Sequence, residues 1–143
     1  MTPGSAYEPS PRQRERDQVA LYEDTDGTQG GTLNGRPVVI LTHTGAKSGL
    51  PRKSPLMRIE HDGSYAIVAS NGGGSEPLWA ANVATNPVVR LQDGAVTWTI
   101  RAREIFGDEK NRWWGCADAT YPTFAKYRKE ADREILIFLL EPE

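Results

Sequence analysis

The sequence predicts an α+β chain that is mainly β: a closed or half-closed barrel of about six strands with short helices packed around it. Three observations carry this reading. Short β-branched or alternating runs recur along the chain, two pairs of them hinge on Asp-Gly, and the helical segments between them are too irregularly placed for a doubly wound parallel sheet. With 143 residues, 38% apolar and 25% charged, the chain fits one domain with a real core, and it shows no internal repeat.

Taken in order, residues 1–11, "MTPGSAYEPSP", are rich in proline and small polar residues and are expected to form a mobile leader ahead of a single domain, 12–143. "RQRERDQVALYE" from Arg12 to Glu23 places Val19, Tyr22 and Ala20 on one side of a charged segment, the pattern of a short helix. "DTDGTQGGTLNGR" ends it, because four glycines between Gly27 and Gly35 favour turns. "PVVILTH" from Pro37 is the kind of β-branched run that fills a buried strand. "PLMRIE" and "SYAIVAS" flank "HDG", and "VVRLQ" and "VTWTIRAREI" flank "DGA", so two hairpins are expected. "REILIFLLEP" closes the chain as a strand stopped by Pro142.

Three further segments read as helices. "SEPLWAANVATNP" offers Ser75 as a cap, Pro77 in a first turn where its missing N–H costs little, and a stop before Pro87. "DEKNRWWGCADA" begins at Asp108 with acids where the helix dipole favours them. "YPTFAKYRKEAD" spaces Tyr121, Phe124 and Tyr127 three apart, along one helical face.

Several chemistries are disfavoured. Cys116 is the only cysteine, and His43 and His61 lie far apart outside any metal-ligand spacing, so no metal is expected and both histidines read as ordinary strand or turn residues. No apolar run approaches the roughly 20 residues needed to cross a bilayer, and the start lacks a signal-like apolar block, so the expected address is the cytoplasm. Arg12, Arg14 and Arg16 are diluted by Glu15 and Asp17, which leaves at most a peripheral contact with the inner face of a membrane.

Charge is distributed unevenly. From Arg36 to Arg58 the chain carries Arg36, Lys47, Arg52, Lys53 and Arg58 with no acid, although the net charge is −2. Within it "THTGAKSG" puts Gly45 and Gly49 around Lys47 and Ser48 directly after a strand. Backbone N–H groups there can approach a phosphate while Lys47 supplies charge and Ser48 a hydroxyl. A solvated turn between strands explains the same residues equally well. "GGTLNGRP" is not a phosphate loop of the nucleotide-hydrolase kind, since Arg36 and Pro37 stand where lysine and a hydroxyl are required. A pI near 5.7 and a basic run without interleaved aromatics argue against nucleic acid.

At "VVILTHTGAKSGLPRKSPLMRIEHDGSYAIVASNGGG…PLWAANVATNP" the chain resembles the deazaflavin-dependent nitroreductase family, and the likeness runs from about Leu21 through "DREILIFLLEP". The resemblance implies a split β-barrel of the kind that binds flavins. It also implies coenzyme F420, an 8-hydroxy-5-deazaflavin with a phosphate and a glutamate tail, whose anionic character suits the basic segment. Position by position, Lys47, Ser48, Arg52 and Lys53 match the family's phosphate-binding segment, and Pro55, Leu56 and Met57 the strand beside the deazaflavin. Ala69, Ser70, Asn71, Gly72 and Gly73 match the turn under the ring, and Leu78, Trp79 and Asn82 the helix closing that side.

Tyr121, Phe124 and Tyr127, with Met57, match the substrate side. Relatives often carry tyrosine at the position of Phe124, and some at that of Met57, so this chain is expected to be a weaker activator of bulky nitroaromatics. The implied reaction is hydride transfer from reduced F420 to a quinone, or to a nitroaromatic, with Ser70 fixing the ring and Tyr127 or Tyr121 orienting the acceptor or giving a proton. A non-catalytic carrier of deazaflavin or flavin, or a reductase using flavin mononucleotide, would need the same anion clamp.

Overall fold

A computed structural model of the chain describes residues 12–143; the expected leader, residues 1–11, lies outside the described residues. The elements run α1 (Gln13–Asp24), β1 (Thr32–Leu33), β2 (Arg36–Thr44), β3 (Pro51–Met57), β4 (Ile59–His61), β5 (Ser64–Val68), a 3-10 turn (Asn71–Gly73), α2 (Leu78–Thr85), β6 (Val88–Asp93), β7 (Val96–Glu104), α3 (Gly107–Thr120), α4 (Phe124–Glu130) and β8 (Ile137–Pro142). The mainly β class stands, with eight strands rather than about six because two short ones flank tight turns.

Connectivity forces the sheet to curl. All pairings are antiparallel, and the order of hydrogen-bonded neighbours is β3-β2-β6-β7-β8-β5-β4, with β1 beside the start of β2. β3 and β4 are thus the two edges of the sheet, yet only Arg58 separates them in the chain. Two edges one residue apart are brought together only by rolling the sheet, and among the described residues no ladder joins them, so the barrel stays split along this seam. The expected continuous strand "PLMRIE" therefore breaks at Arg58. Its first half pairs with β2, its second with β5. Arg58 is held there by its Nε, 2.9 Å from the Asp93 carboxylate, which also accepts from the Tyr65 hydroxyl.

Both Asp-Gly hairpins form. Asp62 and Gly63, at φ 51° and 82°, make the mirror-image turn between β4 and β5. At the other hairpin Asp93 pairs with Val96, so Gly94 and Ala95 form the loop and the Asp93 side chain is left for the seam. A third hairpin, β1 to β2 over Asn34-Gly35, falls inside the stretch read only as turns.

Alternation divides the side chains. Val39 and Leu41 of β2, Leu91 of β6, Ile100 of β7 and Phe138 of β8 face inward, where α2 adds Trp79, Ala80 and Val83. Val38 and Ile40 face outward onto Val19 and Tyr22 of α1, while Ala20 is exposed. Ile59, Ala66 and Ile137 face Ala117 and Phe124 of α3 and α4. Each fully buried aliphatic side chain of this kind contributes about 1.5–3 kcal/mol.

Two helix expectations are corrected. α2 starts at Leu78 behind Pro77, and Ser75 gives no cap but accepts at its carbonyl from the Asn71 amide, 2.8 Å away. Tyr121 ends α3 in extended conformation rather than opening α4. The aromatic stripe is therefore not one helical face, although its three rings still meet.

Candidate functional site

The glycine-rich basic motif is the turn of the β2–β3 hairpin. Gly45 N–H donates to the Leu50 carbonyl and Gly49 N–H to the Gly45 carbonyl, each at 2.9 Å. A side chain at Gly45 would sit 2.5 Å from the Ser48 hydroxyl, which explains glycine there. The Ala46 N–H donates to Asn82 Oδ1 of α2 at 2.9 Å, pinning the turn to the helix. Lys47 and Ser48 are exposed on this turn.

Beside it opens a cavity of about 570 Å³, within the range of small-molecule sites. β3 forms one wall. As an edge strand it tolerates Pro51 and Pro55, whose missing N–H falls on the side facing away from β2. Its lining carries four cations, Arg52 and Lys53 from β3 and Arg12 and Arg14 from the start of α1, against two acids, Glu15 and Glu76. Lys53 leans outward, its ammonium 2.7 Å from Glu23 of α1. Leu56, Met57, Leu78 and Trp79 supply apolar wall. Leu78 is 69% exposed, unusual for a leucine, while Trp79 is both wall and core, 5% exposed and packed on Phe138 at 5.9 Å.

Ser70, Asn71 and Gly72 also line the cavity. Asn71, Gly72 and Gly73 all have positive φ, and Gly73 also lets the Tyr127 backbone approach to 3.5 Å of where a Cβ would stand. The turn is clamped by a residue that sequence reasoning missed: Arg133 donates to the carbonyls of Ala69 at 3.0 Å, Ser70 at 3.2 Å and Gly74 at 3.1 Å. Ala69 itself is fully buried, and Asn82 is buried one layer behind the wall.

Tyr121, Phe124 and Tyr127 meet over the cavity with centroid separations of 5.3, 6.1 and 6.2 Å. The Asn34 amide, on the β1–β2 turn, donates to the Tyr121 oxygen at 3.3 Å, and the two tyrosine hydroxyls lie 3.4 Å apart. The bond between these hydroxyls acts oppositely on its two ends. It lowers the pKa of Tyr121, helped by Thr123 and Asn34, and with burial pushes Tyr127 up to about 12. Either hydroxyl can donate in this bond, and Tyr121 is the stronger acid of the two.

His43 sits behind β3, 3% exposed, and burial with the nearby Arg52 charge lowers its pKa to about 4, so the ring is neutral at pH 7. A second hollow, about 370 Å³, is lined by Lys110, Trp114, Arg128 and Arg133. Its charges are engaged: Lys110 with Glu134 at 2.7 Å, Arg128 with Asp118 at 2.7 Å, Arg133 with the carbonyls above.

A family model described as F420H(2)-dependent quinone reductase matches residues 14–142, almost the whole described chain. The chain belongs to that family. An F420H(2)-dependent quinone reductase of Mycobacterium tuberculosis is 29% identical over 126 residues, covering 85% of both chains. A solved F420-H2-dependent reductase is 47% identical with a TM-score of 0.70, covering 74% of this chain and 95% of its own. A second solved chain, described as a domain-swapped dimer, is 43% identical with a TM-score of 0.72 and covers 88% and 96%. In this F420H(2)-dependent quinone reductase family member, Arg52, Leu56, Met57, Ser70, Leu78 and Trp79 line the cavity, and Lys47 and Ser48 stand on the turn beside it. Arg12, Arg14, His43 and Ser54 line it without any motif having announced them. Arg12 and Arg14 came with a weak helix signal, and pairing of His43 with Ser54 depends on the β2–β3 register.

Proposed function

We propose that this chain is a reductase that passes a hydride from reduced coenzyme F420 to a quinone, with nitroaromatics as secondary acceptors. The observation that carries the reading is the mixed lining of the cavity: Arg52, Lys53, Arg12 and Arg14 outnumber Glu15 and Glu76, while Leu56, Met57 and Trp79 supply apolar wall. An amphiphilic molecule with an anionic tail and a flat ring fits that mixture, and the residues present therefore suit F420.

Bound there, reduced F420 supplies a hydride from C5 of its ring. Arg52 and Lys47 would hold its phosphate, and Arg12 and Arg14 would add positive charge to the lining. Trp79, Leu56 and Met57 would confine its ring, and Ser70 would fix that ring through a hydrogen bond. The aromatic trio would exclude water and offer an apolar surface to a flat acceptor. A quinone that gains a hydride becomes a hydroquinone only after gaining a proton, and Tyr121 is the proton donor, supported by Tyr127 and Asn34. Solvent at the mouth returns the proton.

Mixing the purified protein with reduced F420 and menadione and following the cofactor's visible absorbance tests the reading. Faster reoxidation than in the protein-free control is expected. An unchanged rate with tight binding identifies a carrier, and tighter binding of flavin mononucleotide than of F420 overturns the cofactor assignment. Arg52→Ala is expected to weaken F420 binding by about 1.5–3 kcal/mol while leaving the fold intact.

A further inference from the structure

A run of hydrogen bonds behind β3 has only one consistent direction. The Ala46 backbone N–H is a donor, so the Asn82 atom 2.9 Å from it is the oxygen. The Asn82 amide nitrogen then faces His43 Nδ1 at 3.2 Å and must donate to it. In a neutral imidazole whose Nδ1 accepts, the proton resides on Nε2, which lies 3.0 Å from Ser54 Oγ. Ser54 therefore accepts from His43, and its own proton is left for another partner. Ser54 is half-buried and lines the cavity, midway along β3 between the cationic Arg52 and the apolar Leu56. Alternate residues of a strand are about 7 Å apart, so Ser54 faces whatever joins an anion at Arg52 to a ring at Leu56.

We propose that Ser54 is a ligand-binding hydroxyl, aimed through Asn82 and His43, that donates its proton to an uncharged oxygen of the polyhydroxy chain linking the cofactor's ring to its phosphate. This rests on the F420 reading above. Ser54 touches the ligand; His43 and Asn82 act through it as positioning residues. The chain anchors at Ala46, in the basic turn, so the residues that hold the phosphate and the residue that holds the linker are set by one network.

The experiment is a tryptophan-fluorescence titration with two probes, F420 and its phosphate-free ring-plus-linker fragment. Ser54→Ala is expected to weaken both by about tenfold at unchanged melting temperature, and Ser54→Thr, which keeps the hydroxyl, to restore most of it. Equal affinity of Ser54→Ala and the wild type for both probes overturns the proposal and leaves the F420 reading standing. A penalty seen with F420 but not with the fragment puts the hydroxyl on the phosphate and overturns the linker assignment. Failure of the wild type to bind F420 overturns both together.

A double-mutant cycle tests the aiming. His43→Gln is expected to cost affinity when Ser54 is present and nothing further in Ser54→Ala, whereas equal costs in both backgrounds mean a merely structural histidine. Nitrogen NMR of the wild-type imidazole gives a reading free of any variant. A proton on Nε2 supports the chain, and one on Nδ1 overturns it.

Discussion

Two tyrosines of identical chemistry are made different by one amide. Asn34 donates to Tyr121 alone, and this bond helps lower the Tyr121 pKa while that of Tyr127 is raised, so Tyr121 is the better acid of the pair. Tyr121→Phe is therefore expected to lower turnover with menadione by about 10²-fold, the low end for a lost general acid. Tyr127→Phe should lower it several-fold less, with F420 affinity unchanged in both; the reverse order would make Tyr127 the donor. His43 leaves a different signature. Its folded pKa of about 4 lies below the ordinary 6.5, so between these values the unfolded chain takes up the proton more readily. This contribution is whole above about pH 6.5, shrinks as pH falls toward 4, and levels off below, a loss of about 3 kcal/mol. Urea midpoints measured from pH 7 to pH 4 should show that slope in the wild type and a flatter one in His43→Gln. Equal slopes would place the titration elsewhere. Neither role was legible in the sequence: His43 and Asn34 look like ordinary strand and turn residues until the register brings Ser54 and Tyr121 to them.

Among the elements, local chemistry was readable and long-range choice was not. Asp62-Gly63 specified its turn because both residues must take positive φ, and Asn34-Gly35 carried the same signal within a glycine-rich stretch. The break at Arg58 left no local mark, since nothing in "PLMRIE" says that its halves join opposite edges of the sheet. Tyr121, Phe124 and Tyr127 had helical spacing, but the Pro122 position disfavours a continuing helix and the trio assembles across a corner instead. The turn that lines the site depends on a similar long-range contact. Arg133, just ahead of β8, holds three carbonyls of residues 69–74, and Arg133→Ala would leave that of the buried Ala69 short of a partner, at about 1–3 kcal/mol. The expected outcome is faster amide exchange at Gly73 and Gly74 and weaker F420 binding, with α3 amides unaffected. Unchanged exchange at the two glycines would show that the turn holds itself.

For the whole molecule the question is what keeps a split barrel shut. The seam between β3 and β4 lacks a ladder among the described residues, and the 2.8 Å bond from Arg58 N–H to the Pro37 carbonyl only extends the β2–β3 ladder, so side chains close the seam. Asp93 accepts from both Arg58 at the seam and Tyr65 on β5, while the Arg58 guanidinium lies 5.5 Å from the Tyr65 ring centre. One carboxylate on β6 thereby ties the β3–β4 junction to the opposite side of the rolled sheet. All three groups are half-buried, so solvent screens the ion pair, but the two hydrogen bonds to a charged acceptor retain value. Asp93→Ala should lower stability in urea by about 2 kcal/mol. Glu130→Ala, which breaks an open pair with Lys126, should do almost nothing. Because Met57 immediately precedes Arg58, loosening the seam also frees the end of the cavity wall that confines the ring. The Asp93 variant is thus expected to bind F420 more weakly even at temperatures where it is fully folded. Native stability together with native affinity in that variant would mean that the sheet's own twist, rather than this carboxylate, keeps the barrel closed.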